Sequence, residues 1–370
     1  MKTFLALVML FHGLIHLMGF AKAFGLAKID RLTVNIPWSL GLSWLLATLV
    51  FSISAIALLL KKEWWPTLAI LAVAISQILI IIYWKDAKYG TVANLLILLV
   101  SIPSYGSYRF QSRSLKAART QWVQKIPKNT SVIYLQDLAH MPPIVQKWVL
   151  ASGVVGHQKP TTAHIEQKGR MKTDPDGRWM PFTAEQYVNT RSPGFVWIAK
   201  VRSFPFIYLD GRDKLENGKG EMLIKLSGLF PVVDVQPDDK INSAAMQRYL
   251  AEISWFPSAA LNENIVWEAV DSLSARATIS TENLKVSGIF TFNSEGGMVS
   301  FETERYFGND ADARLEKWFI EALEYKEFQN FTIPSKCKVS WKLQEGDFTW
   351  LDLEIDDVYY YPNLSTVPDR

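Results

Sequence analysis

Four apolar runs, each about as long as the roughly 20 residues a membrane helix needs, occupy the first 108 positions and constrain every later reading. They extend from about Phe4 to Phe24, Trp38 to Leu60, Trp64 to Trp84 and Thr91 to Tyr108. Lys61-Lys62 stops the second, "KDAK" the third, and Arg109, Arg113, Lys116 and Arg119 follow the fourth. Trp38, Trp64, Trp65, Trp84, Tyr89, Tyr105 and Tyr108 stand near the ends, as interfacial aromatic belts do. The first run does not read as a cleaved signal peptide: Lys2 is its whole basic region, no small-residue cleavage site stands out, and three more runs follow. Four spans place both ends on one side. If that side is the cytoplasm, seven basic residues flank the inside (Lys2, Lys61, Lys62, Arg109, Arg113, Lys116, Arg119) against five outside (Lys22, Lys28, Arg31, Lys85, Lys88). The positive-inside count therefore favours cytoplasmic ends.

Charge divides the chain in two. Residues 1–128 hold 14 Lys or Arg and 3 Asp or Glu, whereas 129–370 hold 25 and 33. An acidic second part argues against nucleic acid as a partner, because phosphate contacts need a basic surface. The single cysteine, Cys337, rules out an intrachain disulfide and leaves the compartment open.

Within the first run, "LFHGLIHLMGF" places His12 and His16 four apart, on one helical face. One reading is a metal or haem site. No other histidine, no cysteine and no suitable carboxylate in the spans completes a ligand set. The other reading is helix packing: Gly13 and Gly19 permit close approach, and Ser52, Ser54, Ser76, Gln77 or Asn94 can bond an imidazole. The pair is read as packing, with no cofactor, and the ligand reading is kept as the alternative.

After a polar, basic connector over 109–140, Pro142-Pro143 opens a short amphipathic helix, "IVQKWVLASG". The pattern then changes to period two. "TAHIEQKGRMKT" and "RWMPFTAEQYVNTR" flank "DPDG", a hairpin signal. About ten or eleven strands follow, interrupted by one helical stretch, "INSAAMQRYLAEISW", with Ser243 or Asn242 as its expected N-cap. So many hairpins mean an antiparallel sheet and not a doubly wound fold. "FVWIAKV" is apolar on both faces, which predicts cover on both. The helix near 242–255 is the natural filling for the concave side of a strongly curved sheet. The expected organisation is a four-helix transmembrane part (1–108), a connector (109–140) and an antiparallel β domain (141–370).

"HGLIHLMGF", "KKEWW", "WMPFTAEQ" and, most specifically, "RYLAEISWFPSAAL" make the whole chain resemble a bacterial family of uncharacterised membrane proteins, a domain of unknown function. In architecture the second part is similar to the lipoprotein-carrier (LolA/LolB-like) fold. That resemblance implies an unclosed antiparallel half-barrel, lined with apolar residues and plugged by helices, that holds acyl chains. It also implies a bacterial envelope protein, and the carrier analogy would place the second part in the periplasm, against the charge count.

No catalytic signature emerges. "ENGKGE" lacks the P-loop context, and neither G-x-S-x-G, HExxH nor CxxC occurs. "DLEIDD" lacks the glycine and spacing of a calcium loop and reads as a solvated strand edge. One polar constellation remains: Arg248 and Glu252 are i, i+4 on the inserted helix, with Trp255 next. This is a helix–sheet brace or a contact for a ligand headgroup. With Trp179, Phe182, Phe195, Trp197 and Phe206 these residues make the candidate cavity. The expected function is non-catalytic binding of an apolar or amphipathic ligand, of lipid or lipoprotein-like class, at a membrane. An enzyme or redox component using His12 and His16 is the first alternative, and a structural protein that recruits a partner is the second.

Overall fold

The computed structural model describes residues 1–123, 130–308 and 313–361. Residues 124–129 of the expected connector lie outside them. The described chain forms two compact units: Met1–Phe110 with the segments Phe204–Tyr208 and Leu226–Phe230, and Gln111–Ser203 with Leu209–Lys225 and Pro231–Arg370.

The first unit contains α1 (Lys2–Ala23), α2 (Trp38–Leu59), α3 (Trp65–Ile82), the single turn α4 (Trp84–Ala87) and the start of α5 (Gly90–Val123). Four of these helices are long and apolar enough to cross a membrane. The α1–α2 contact depends on absent side chains. A Cβ on Gly13 would meet Phe51 at 2.9 Å, and one on Gly19 would overlap the Trp44 indole. His12 and His16 are buried beside those aromatics. His12 Nε2 lies 3.0 Å from Asn94 Oδ1 and 3.2 Å from Ser76 Oγ, and His16 Nε2 lies 3.0 Å from Ser76 Oγ. His16 Nδ1 donates to the His12 carbonyl at 2.9 Å, an i−4 bond along the helix. Each imidazole thus has partners on its own or a facing helix, which is how a span tolerates polar groups.

The second unit begins on α5 and continues through α6 (Pro143–Ala151) into β1 (Thr162–Met171), β2 (Met180–Asn189), β3 (Gly194–Phe204), β4 (Ile207–Glu216), β5 (Lys219–Leu226) and β6 (Phe230–Val235). Helix α7 (Asp239–Glu252) interrupts. The remaining strands are β7 (Ile265–Ala269), β8 (Ser274–Ser280), β9 (Lys285–Phe292), β10 (Met298–Phe307), β11 (Arg314–Phe328), β12 (Phe331–Leu343) and β13 (Gly346–Tyr361). All belong to one open antiparallel sheet in the order β6-β5-β4-β3-β2-β1-β13-β12-β11-β10-β9-β8-β7. The two halves of the strand run meet where β1 pairs with β13, Ala163 opposite Tyr360 and Gly169 opposite Leu353.

The described residues form thirteen strands where ten or eleven were expected, because two turns lack strong sequence signals. Ser227-Gly228 separates β5 from β6, and Gln329-Asn330 separates β11 from β12 with both residues at positive φ. Helix α7 starts earlier than the sequence predicts. Asp238 is its N-cap, accepting from Ile241 N at 2.8 Å, while Asn242 Oδ1 accepts from Gly220 N at 2.7 Å.

One face of the sheet carries the core. Alternate residues Phe182, Ala184, Gln186 and Val188 of β2 are buried, and Phe301 and Thr303 of β10 likewise. Met246, Tyr249, Leu250 and Ile253 of α7 and its following turn pack against them, and Tyr249 Oη donates to Asn189 O at 2.9 Å. Trp148 of α6 adds an aromatic cluster with Trp267, Phe290 and Phe292. Strand β3 is covered on both faces, as its double-sided apolar pattern predicts: Phe195 and Ala199 enter the core, while Val196 and Ile198 pack on Ala118 of α5.

Candidate functional site

The face that holds α7 has two different ends. Where β1 starts and β2 ends, α6, α7 and the turns over 253–261 fill it with buried side chains. At the other end stand Met171 (end of β1), Leu209 (start of β4), Phe307 (end of β10), Leu343 (end of β12) and Trp350 (early β13). All five are apolar, only half-buried, and packed on the core.

A polar chain runs between these ends. Trp197 Nε1 donates to Gln167 Oε1 at 2.8 Å, Gln167 Nε2 to Gln186 Oε1 at 3.2 Å, and Gln186 Nε2 to Glu252 Oε2 at 2.6 Å. Arg248 Nε donates to Glu252 Oε1 at 2.7 Å and its Nη1 to Asp213 Oδ2 at 2.8 Å. Its guanidinium also stands 4.8 Å from the ring centres of Phe195 and Trp197, within cation–π range. Two strands, β3 and β4, and a helix thus meet at one cation, and β2 and β1 join through Glu252 and Gln186. Burial opposes the charge on Arg248, but Glu252 and Asp213 outweigh it and raise its proton affinity. Burial raises the pKa of the Asp213 carboxyl even against the attraction of Arg248.

A second cation lies on β10. Arg305 packs its guanidinium 4.5 Å from the Trp318 ring centre and 5.9 Å from that of Trp341. Its Nε is buried with no hydrogen-bond partner among the described residues, and so is the Trp318 indole nitrogen. Burial and the nearby Arg248 charge lower the Arg305 pKa to about 10. Glu316, opposite Arg305 in the ladder, turns its carboxylate to Arg314 at 2.6 Å.

The structure brings Phe195, Trp197, Arg248 and Glu252 together, with Phe182 edge-on to Trp197 at 6.3 Å. Trp255 is buried on the β12–β13 side, where its carbonyl accepts from Tyr360 Oη at 2.5 Å. Trp179 stands away from this group, under the cations of Arg170 and Lys172. Phe206 belongs to the helical unit, at positive φ beside Trp65. Sequence reading missed Gln167, Gln186, Asp213, Arg305 and Trp318. A separate groove of about 420 Å³, with Ser243, Gln247, Arg276, Lys285 and Lys317 on its wall, is predominantly polar. Among the described residues no group of three or more His, Cys, Asp or Glu is arranged to hold a metal ion.

These features define a chain with four membrane-type helices and an open antiparallel β unit that packs a helix on one face. The chain belongs to a family of unknown function, DUF6544, which matches residues 131–353. Among solved structures it is similar to a LolA superfamily protein from Nitrosomonas europaea (11% identity, 61% of this chain and 94% of that one, TM-score 0.35). It is also similar to a DUF1329 family protein from Desulfovibrio piger (8% identity, 54% and 86%, TM-score 0.32). No curated protein matches the sequence.

Proposed function

We propose that this is a membrane-anchored, non-catalytic binding protein for an apolar or amphipathic ligand of the lipid class, taken at the end of the sheet's core face away from α6 and the turns that follow α7. One observation supports this above others: the half-buried apolar set Met171, Leu209, Phe307, Leu343 and Trp350 gathers at that end, while α7 and its turns fill the other. Concave, mostly apolar surface with a few convergent polar groups is what small-ligand sites have in common. Phe182, Phe195, Trp197, Arg248 and Glu252 lie deeper and would shape the floor. In this reading residues 1–108 are the anchor, 109–140 the connector and 141–370 the binding domain. The protein is multi-pass in a bacterial inner membrane, with its binding domain on the cytoplasmic side by the charge count.

Full-length protein in an uncharged detergent, illuminated with a photoactivatable palmitic acid, tests the site. Adducts on peptides that carry β10, β12 and β13 are expected. Labelling confined to α1–α5 would remove the reading. A reporter fused after Arg370 that is active only outside the cytoplasm would reverse the assigned side and leave the binding site standing.

A further inference from the structure

We infer that Arg305 and Trp318 hold an anionic oxygen of the bound molecule, so that the ligand is an amphiphile headed by a carboxylate or phosphate. This rests on the binding site proposed above and adds the chemistry of its headgroup. Arg and the Trp indole nitrogen are donors only; neither can accept. Here two such groups are in contact, with Arg305 Nε and Trp318 Nε1 both buried and without an acceptor among the described residues. Buried polar groups are normally satisfied, and unmet donors on two contacting side chains fit an acceptor with several lone pairs. The neighbouring carboxylates are hydrogen-bonded elsewhere, Glu316 to Arg314 and Asp213 and Glu252 to Arg248; the last two attract Arg305 only through space. A guanidinium matches a carboxylate or phosphate in shape as well as charge. Cation–π contact with Trp318 at 4.5 Å and Trp341 at 5.9 Å holds it in place beforehand. Phe307, 5.1 Å from Trp341, continues the surface in apolar form, where a chain attached to the anion would lie.

The test uses the full-length protein in uncharged detergent with two photoactivatable probes of equal length, palmitic acid and palmityl alcohol. The wild type should label with the acid about tenfold more strongly than with the alcohol, the size of effect expected for one charge-assisted hydrogen bond. Arg305→Met should bring that ratio near one while alcohol labelling persists. Excess inorganic phosphate should leave acid labelling unchanged; displacement would assign the site to free anions and overturn the amphiphile. Should Arg305→Met fail to fold, Trp318→Phe decides: it keeps an aromatic ring, loses the N–H, and should lower the acid preference about threefold. Equal labelling of the sheet by both probes in the wild type would overturn this inference and spare the binding site. Labelling of the sheet by neither would overturn the site itself.

Discussion

Arg248 is the cation that hydrogen-bonds both Asp213 and Glu252, while Arg305 acts on them only through space, so loss of Arg248 leaves two partly buried carboxylates without a bonded cation. Breaking such a pair costs about 3–5 kcal/mol. The Arg248 side chain keeps 16% of its exposure, which places Arg248→Met near the lower end, about 3 kcal/mol. Chemical denaturation should show it, and a change under about 1 kcal/mol would mean the brace is decorative. Cys337 gives a pH prediction. Burial pushes its thiol up to about 12, against roughly 8.5 when unfolded. The native state therefore holds this proton more tightly. That contribution is complete below about pH 8.5 and is lost as pH rises toward 12, at about 1.4 kcal/mol per unit. Since Cys337 is the chain's single cysteine, iodoacetamide should leave the native protein unmodified at pH 8 and react once the sheet opens. The residues differ in legibility for a plain reason. Arg248 and Glu252 are one helical turn apart, so their pairing can be read from spacing. Gln186 and Asp213 reach the same place from strands distant in sequence, and no local pattern reports that. Arg305 did leave a signal: in "FETERYF" it shares the inward phase of Phe301 and Phe307, where an arginine is out of place.

Helix α7 was legible as an element because its apolar residues recur with helical period between stretches of period two. Its start was misplaced because "PDDK" supplies a better cap than Asn242, which bonds a neighbouring strand instead. Strand β11 was the least legible element. "RLEKWFIEALEYKEF" is rich in good helix formers, yet Trp318 and Ile320 turn inward and pair with Trp341 and Val339. Ladder pairing and burial override weak propensity. The turn that follows α7 tests whether this segment is structural core. Trp255 is 7% exposed and its carbonyl is bonded by Tyr360. Truncating a buried Trp costs about 3–5 kcal/mol, so Trp255→Ala should lower the unfolding midpoint sharply. If the midpoint hardly moves and fatty-acid labelling falls instead, Trp255 lines the ligand site and is not core.

Across the whole molecule, membrane-type helices and an antiparallel sheet were legible because hydropathy length and period are local properties. The order of the strands was not, since β1 and β13 lie at opposite ends of the strand run and meet only in the folded sheet. That junction makes β13 decisive. It stands between β1 and β12, so a chain ending at Leu343 would keep β1–β6 and β7–β12 as two sheets with raw inner edges. It would also lose six buried side chains, Phe348, Leu351, Leu353, Ile355, Val358 and Tyr360. At about 1.5–3 kcal/mol for each large apolar side chain, the loss matches or exceeds the ~5–15 kcal/mol that hold an ordinary domain folded. The truncated chain should therefore insert its helices yet show no cooperative unfolding of the sheet, rapid proteolysis within 162–343, and immediate alkylation of Cys337. A chain ending at Tyr361 should behave as the full protein does. Protease resistance in the shorter chain equal to that of the longer one would show that the two strand sets are independent folding units, and that β13 only bridges them.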